Sequence, residues 1–73
     1  MLKKIYAFKN SAEAGLMVSL LKDNKFHPLV VQVSDHLSFA GADMWFYVQI
    51  PEEEYLSASK FLLKRGYKDI MGE

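Results

Sequence analysis

Residues 44–54, which read MWFYVQIPEEE, contain the transition that decides the fold. Met44 to Ile50 has the two-residue period of a strand, in which alternate side chains share one face. Pro51 suits the first turn of a helix, and the glutamates of residues 52–54 complement the positive charge at a helix N-terminus. We therefore expect a strand that is followed directly by a helix.

The first third of the chain predicts another strand and helix. Leu2 to Phe8 alternates as a strand does. Asn10 is a suitable helix cap because Glu13 stands behind it at capping-box spacing. The residues expected to form the buried stripe of this helix are Ala14, Met17, Val18 and Leu21. We expect Asp23, Asn24 and Lys25 to end the helix, with Asn24 the residue that best tolerates the left-handed conformation that closes helices.

The remaining segments predict a strand, a loop, a helix and a last strand. Phe26 to Val33 is expected to be a strand, with Pro28 at its start or on a sheet edge because proline cannot donate to a ladder. Ser34 to Asp43 predicts a loop or a widened hairpin connection. The second helix is expected to bury Tyr55, Ala58, Phe61 and Leu62 and to end before Gly66. Tyr67 to Met71 predicts a short last strand.

This order of elements predicts an α+β fold. Strand, helix, strand, strand, helix, strand is the ferredoxin-like βαββαβ order, a two-layer sandwich with a four-stranded antiparallel sheet and two helices on one face. The 73 residues are enough for a single domain, spanning residues 1–73. A mixed α+β fold with another strand order is the alternative.

The composition narrows the class of protein. Nine Lys plus Arg balance nine Asp plus Glu, so the excess positive charge of a nucleic-acid or anionic-membrane binder is missing. The absence of cysteine excludes disulfides and a cysteine nucleophile. The longest apolar run, Met44 to Val48, is far shorter than the roughly 20 residues of a membrane span. We expect a soluble, cytoplasmic protein with no membrane partner.

Four aromatic side chains are expected on the sheet face that two helices would leave open. They are Tyr6, Phe8, Trp45 and Tyr47. A contiguous apolar patch on a soluble chain marks an interaction site, and its simplest use is a homodimer with sheet packed against sheet, or contact with an unidentified protein partner. Binding of a small molecule on this aromatic face is one alternative, and ordinary core or scattered surface positions for the rings are another.

The same face can be compared with an RNA recognition motif, whose central strands carry aromatic rings that stack on bases. Trp45, Tyr47 and Val48 match the third-strand signature in part. Asp43 and Met44, however, stand where that signature has a basic residue and a glycine. The neutral net charge also lacks the phosphate-binding contribution that dominates affinity. We therefore expect no nucleic-acid partner.

No arrangement of residues predicts catalysis or a metal site. The two histidines are His27 and His36, and although Ser34 and Ser38 flank the second, adjacent positions do not supply the geometry of a triad. The histidines and the nearby aspartates also lack a recognised metal-ligand spacing. We expect no catalytic residue, no metal and no cofactor, and hence a protein that is not an enzyme.

The loop from Ser34 to Asp43 is expected to be the most mobile segment and a second contact surface. Its Ser and Asp residues favour local side-chain bonds, and Gly41 adds backbone freedom. Leu37 and Phe39 are apolar residues that a solvated loop does not need. They are expected either to pack back onto the sheet, with Phe39 inward, or to contact a partner.

Several short motifs together resemble a known family. They are Lys4-Ile5-Tyr6, Glu13-Ala14, Leu20-Leu21, Phe46 to Glu53, Ala58 and Leu62-Leu63. The chain resembles a small prokaryotic family of unknown function labelled a signal-transducing protein, which is related in fold to the nitrogen-regulatory PII proteins, and the resemblance covers nearly all 73 residues. It implies a cytosolic, non-enzymatic, regulatory domain. The nucleotide site of PII proteins is not implied, since residues 34–43 contain no Lys or Arg.

Overall fold

The computed structural model describes residues 1–35 and 43–71 and confirms the α+β class. Three strands form one antiparallel sheet in the order β1-β3-β2. The elements, in chain order, are β1 Leu2–Phe8, α1 Ser11–Asp23, β2 Leu29–Asp35, β3 Asp43–Pro51, a 3-10 turn Glu52–Glu54, and α2 Tyr55–Lys64.

Helix α1 begins and ends where the sequence predicts, but its left-handed residue is a different one. The side chain of Asn10 accepts a hydrogen bond from the backbone N–H of Ala12 at 2.7 Å, which confirms the cap. Asn24 keeps a φ of −105° and donates its side-chain N–H to the Leu20 carbonyl at 3.0 Å. Lys25 has the left-handed φ of 69° instead. The helix therefore ends at Asp23 with Asn24 as its C-cap, as expected. Only the left-handed conformation expected at Asn24 is placed wrongly, because the Asn24 side chain caps the last turn and the chain reverses at the next residue.

The second strand lies at a sheet edge, as expected from Pro28, which immediately precedes it. The pairing of β2 with β3 continues to Asp35 opposite Asp43. Ser34, Asp35 and Asp43 thus belong to the sheet and not to the predicted loop, because the ladder that begins at Leu29 overrides the local turn preference of Ser and Asp.

The start of the second helix also differs from the prediction. Pro51 is the last residue of β3, opposite Leu2, and does not begin a helix. A 3-10 turn over Glu52–Glu54 separates it from α2, and the N–H of Glu52 donates to the Met1 carbonyl at 2.8 Å. The pairing with β1 extends β3 to this point. Gly66 follows α2 with a φ of 97°, as expected for a residue just past a helix end.

The predicted last strand, Tyr67 to Met71, is not a strand in the part of the chain that the structure describes. The Met71 N–H donates to the Ile5 carbonyl at 2.9 Å, and the Tyr55 hydroxyl donates to the Met71 carbonyl. Tyr67 and Ile70 both pack against the core. Side chains three residues apart point to opposite faces of a strand, so their shared direction is incompatible with strand alternation.

The core lies between the helices and one face of the sheet. Its fully buried residues are Ile5, Ala14, Met17, Leu21, Val48, Ile50, Ala58 and Leu62. Both helices contribute to this single cluster, so both cover the same face of the sheet. The opposite face has no helix on it within residues 1–35 and 43–71.

Candidate interaction surface on the open sheet face

The sheet face opposite the helices, called here the open face, is identified by the strand register. Val48 and Ile50 are buried beneath the helices, and alternate residues of a strand point to opposite faces. The open face therefore contains, from β3, Trp45, Tyr47 and Gln49, and, from their β2 partners, Val33, Val31 and Leu29. On β1 it contains Leu2, Lys4 and Ala7.

The predicted placement of Tyr6 and Phe8 on the open face is wrong. The register between β1 and β3 shifts by one residue between Lys4 and Tyr6, which is a β-bulge at Ile5. Beyond the bulge, Tyr6 lies opposite the buried Val48 and both aromatic rings pack against the core. The extra residue thus reverses the faces of residues 6–8 of β1, so that Tyr6 and Phe8 lie on the helix-covered face.

Trp45 and Tyr47 do lie on the open face, as predicted. Their rings are stacked with centroids 6.4 Å apart and an interplanar angle of 24°. They lie beside two exposed aliphatic residues of β2, Leu29 at 51% and Val33 at 45% exposure. The apolar patch is therefore shared between β3 and β2. The sequence pattern predicted instead that it would be shared between β3 and β1.

Two lysines from the β1 side lie over the aromatic rings. The Lys4 ammonium is 4.4 Å from the ring centroid of Tyr47, and the Lys9 ammonium is 4.9 Å from that of Trp45. Such cation–π contacts hold the lysine stems across the apolar surface. Sequence reasoning did not identify these lysines as part of the surface. Strand alternation puts Lys4 on the side of β1 away from the buried Ile5, and this could have indicated the first of the two lysines.

A polar contact between His27 and Glu54 joins the segment before β2 to the turn after β3. The backbone N–H of His27 donates to Oε1 of Glu54 at 2.9 Å, and its ring Nδ1 lies 2.6 Å from Oε2. The side-chain hydrogen bond from His27 is the main cause that lowers the pKa of Glu54, with the backbone bond and the charge of His27 adding to it and desolvation opposing it. Glu54 thus links the segment before β2 to the turn after β3.

The structure gives no support to a catalytic or metal site in the described residues. No group of three metal-binding side chains occurs within residues 1–35 and 43–71. No concave pocket is found in the same part of the chain. His36 and Ser38, and the predicted loop contacts Leu37 and Phe39, lie outside the described residues.

No helix in residues 1–35 and 43–71 combines the length and apolar character needed to cross a membrane. No family model, curated protein or solved structure matches this chain. The open face therefore has to be interpreted from its own chemistry.

Proposed function

We propose that this chain is a ferredoxin-like interaction module that associates with a second copy of itself through the open face. The observation that carries the proposal is the one-sided cover of the sheet: within residues 1–35 and 43–71, no helix packs on the apolar surface around Trp45 and Tyr47. In this arrangement residues 67–71, bonded to β1 through Met71, take the place of a fourth strand.

The size of the chain also favours association. A single core in a chain of fewer than about 70 to 80 residues seldom contributes more than about 3 to 5 kcal/mol of net stability. Burying Trp45, Tyr47 and Val33 against a second copy removes further apolar area from water in both chains, and each Å² contributes about 25 cal/mol before the costs of association.

The dimensions of the open face indicate how tight such a dimer is. Three strands about 4.8 Å apart and about seven residues long, at about 3.3 Å per residue, give a flat footprint of roughly 320 Å². Side-chain relief increases the accessible area, but a standard stable interface buries about 800 Å² per partner. The proposed interface is therefore smaller than that of a standard stable dimer.

A cytoplasmic, regulatory and non-enzymatic role is part of the same proposal and rests on the resemblance of the short sequence motifs alone. The absence of a pocket in the described residues favours a macromolecular partner over a small molecule. A small molecule bound to the open face would have to lie flat on the rings, since nothing described there encloses it.

Sedimentation equilibrium tests the association directly, with concentrations from micromolar to millimolar. The expected mass approaches twice the 8.4 kDa of one chain as concentration rises. Trp45 is the single tryptophan, so its emission should also shift to shorter wavelength as the open face becomes buried. A chain that remains monomeric at millimolar concentration contradicts the proposal.

A matched pair of variants tests the surface. Trp45→Ala is expected to weaken the dimer by about 2 kcal/mol, or roughly 30-fold in dissociation constant, as for a central anchor of an interface. Leu56→Ala is the control, because this side chain is apolar and 72% exposed but belongs to α2 on the other side of the sheet. Equal weakening by both variants would assign the contact to another surface.

A further inference from the structure

We propose that the outer side of α2 docks an acidic amphipathic helix of a partner protein. This surface belongs to the helix layer, on the other side of the sheet from the open face, and it does not depend on the self-association proposed above. Three observations support it. They are the distribution of charge in the fold, the exposure of two leucines on α2, and the exposed lysines beside these leucines.

The charges of the chain are separated in space although they sum to zero. Residues 1–9 and 55–68 contain seven of the nine basic residues and no acidic residue, so all nine acidic residues lie in the rest of the sequence. These two segments are neighbours in the fold, because α2 packs over β1 and the Lys3 ammonium lies 4.5 Å from the ring centroid of Tyr55. The side of the molecule formed by β1 and α2 is therefore basic.

Two leucines are exposed on the outer side of α2. Ala58 and Leu62 are buried in the core, whereas Leu56 and Leu63 are 72% and 54% exposed. These two leucines are two helical turns apart and therefore share one side of the helix. Lys60 is exposed between them, four residues after Leu56 and three before Leu63. The outer side of α2 thus has two apolar contacts at the heptad spacing of a two-helix interface.

The lysines of this surface have no partner in the described chain. Lys60 and Lys64 are exposed. Within residues 1–35 and 43–71 neither makes an ion pair or lies over an aromatic ring. Charged residues that flank the leucines of a helix pair choose the partner by pairing with opposite charges. The outer side of α2 therefore fits a helix whose aliphatic residues are flanked by glutamate or aspartate.

A second copy of the chain matches this surface less well. Two α2 helices would bring the same lysines together, because residues 55–68 contain no carboxylate side chain, and like charges across an interface are costly. Helix α1 of a second copy is a weak match, since Lys22 beside Asp23 leaves Glu13 as its single unbalanced carboxylate. Charge complementarity therefore favours a different, acidic chain.

A nucleic acid also matches this surface less well. Phosphates would pair with Lys60 and Lys64 but would offer no apolar contact to Leu56 and Leu63. Bases bind by stacking on aromatic rings, whereas the strongly exposed apolar residues of α2 are these two leucines. A helix with both aliphatic and acidic residues complements the leucines and the lysines at once.

Synthetic peptides of three heptads test the proposal. The first probe has leucine at both core positions of each heptad and glutamate beside them, and the matched probe has glutamine in place of each glutamate. Fluorescence anisotropy measures the binding of each labelled peptide to the whole chain. The glutamate peptide should bind about tenfold more tightly than the glutamine peptide, because an exposed ion pair contributes about two- to fivefold and two lysines are involved. A glutamate peptide that shows no saturable binding at millimolar concentration overturns the proposal.

Variants of exposed residues locate the contact. Lys60→Gln combined with Lys64→Gln should weaken binding of the glutamate peptide about tenfold, and Leu63→Ala should weaken it by a similar factor. Lys22→Gln and Leu16→Ala are the matched controls on α1, where Leu16 is 66% exposed. Both controls should bind the peptide as the natural chain does. Equal weakening by Leu63→Ala and Leu16→Ala would overturn the assignment to α2.

Other occupants of the surface give different results. If single-stranded RNA or polyglutamate binds as tightly as the glutamate peptide and Leu63→Ala has no effect, the surface is a general polyanion site and the proposal is overturned. A shift of Trp45 emission on adding the peptide would place the peptide on the open face, which also overturns it. Weaker self-association of Leu56→Ala in sedimentation equilibrium would assign the surface to a second copy. Peptide binding that persists in Trp45→Ala supports the proposal whether or not the open-face dimer exists.

Discussion

Tyr6 lies directly opposite Val48 across β1 and β3, on the face that the helices cover. The ring centroid of Tyr6 is 4.8 Å from that of Phe8 and 5.5 Å from that of Tyr67. A residue that simple alternation assigns to the solvent face is therefore part of an aromatic cluster beside the core. The bulge at Ile5 is the cause, since it gives β1 one residue more than β3 between paired positions.

This relationship predicts opposite effects for two tyrosines of the same sheet. Tyr6→Ala should lower the free energy of unfolding by about 2 to 3 kcal/mol, less than for a fully buried aromatic because this ring is half-buried. It should leave the self-association constant unchanged. Urea denaturation and sedimentation equilibrium on the same samples give the two quantities.

Tyr47→Ala is the matched variant and should behave in the reverse way. Its ring packs on Trp45 on the open face, so the stability of the monomer should fall by about 1 kcal/mol or less while the dimer weakens. If Tyr6→Ala dissociates the dimer without lowering stability, the assignment of the two faces is incorrect.

Most of the fold follows from local patterns in the sequence, and the departures depend on contacts between segments that are far apart in the chain. The apolar stripes of both helices, the cap at Asn10 and the edge position of β2 were all predictable because they depend on neighbours in sequence. The bulge at Ile5 was not, since nothing in residues 2–8, LKKIYAF, marks an extra residue. Its position depends on a partner strand more than 40 residues away.

The composition of the open face depended on that same long-range pairing. Sequence alternation correctly placed Trp45 and Tyr47 together, because both belong to β3. It could not show that Val33 of β2 would lie beside Trp45, because the register of a hairpin is set by both strands and by their connection. The interaction of His27 with Glu54 likewise joins residues 27 positions apart with no local signature.

The contact between His27 and Glu54 predicts acid-sensitive stability. The hydrogen bonds from His27 lower the pKa of Glu54 in the folded chain below its ordinary value of 4.5. The carboxylate therefore contributes its full stabilisation above that ordinary value and loses it as the pH falls through the lower folded pKa. Urea unfolding midpoints measured between about pH 2 and 6 should decline across that interval.

The variant Glu54→Gln should reduce this acid-limb slope, because a neutral amide has no proton to bind. Glu53→Gln is the control, since Glu53 is an exposed neighbour in the same 3-10 turn. It should retain the slope of the natural chain. An identical slope in Glu54→Gln would mean that the bond to His27 does not persist in solution.

The left-handed conformation of Lys25 predicts a stabilising substitution. A non-glycine residue at a φ of 69° carries a steric cost of roughly 1 to 2 kcal/mol that glycine does not have. Part of this gain is offset by the larger backbone entropy of glycine in the unfolded chain. Lys25→Gly should therefore raise the free energy of unfolding by about 0.5 to 1 kcal/mol, measured by urea denaturation.

Asn24→Gly provides the comparison one residue earlier. Asn24 has a φ of −105° and donates its side-chain N–H to the Leu20 carbonyl, so glycine there removes a bond and gains no relief. This variant should be destabilised by about 1 kcal/mol. A stabilised Asn24→Gly together with a destabilised Lys25→Gly would place the chain reversal at Asn24 instead.

The final prediction is that the chain does not bind nucleic acid at physiological salt. Lys4 and Lys9 lie over Tyr47 and Trp45 and give the open face some of the features of a base-stacking surface. The aromatic rings of β1, however, lie on the other side of the sheet, so the two-strand stacking platform of an RNA recognition motif is incomplete.

Fluorescence anisotropy with labelled single-stranded RNA and DNA in about 0.15 M salt measures this binding. No saturable binding is expected at micromolar protein, because nine basic and nine acidic side chains leave no net phosphate-binding charge. Weak binding that disappears as salt rises is consistent with the prediction, since two lysines attract any polyanion. Micromolar binding that quenches Trp45 and is lost in Lys9→Gln, but not in the control Lys22→Gln on α1, would instead show that the open face is a nucleic-acid site.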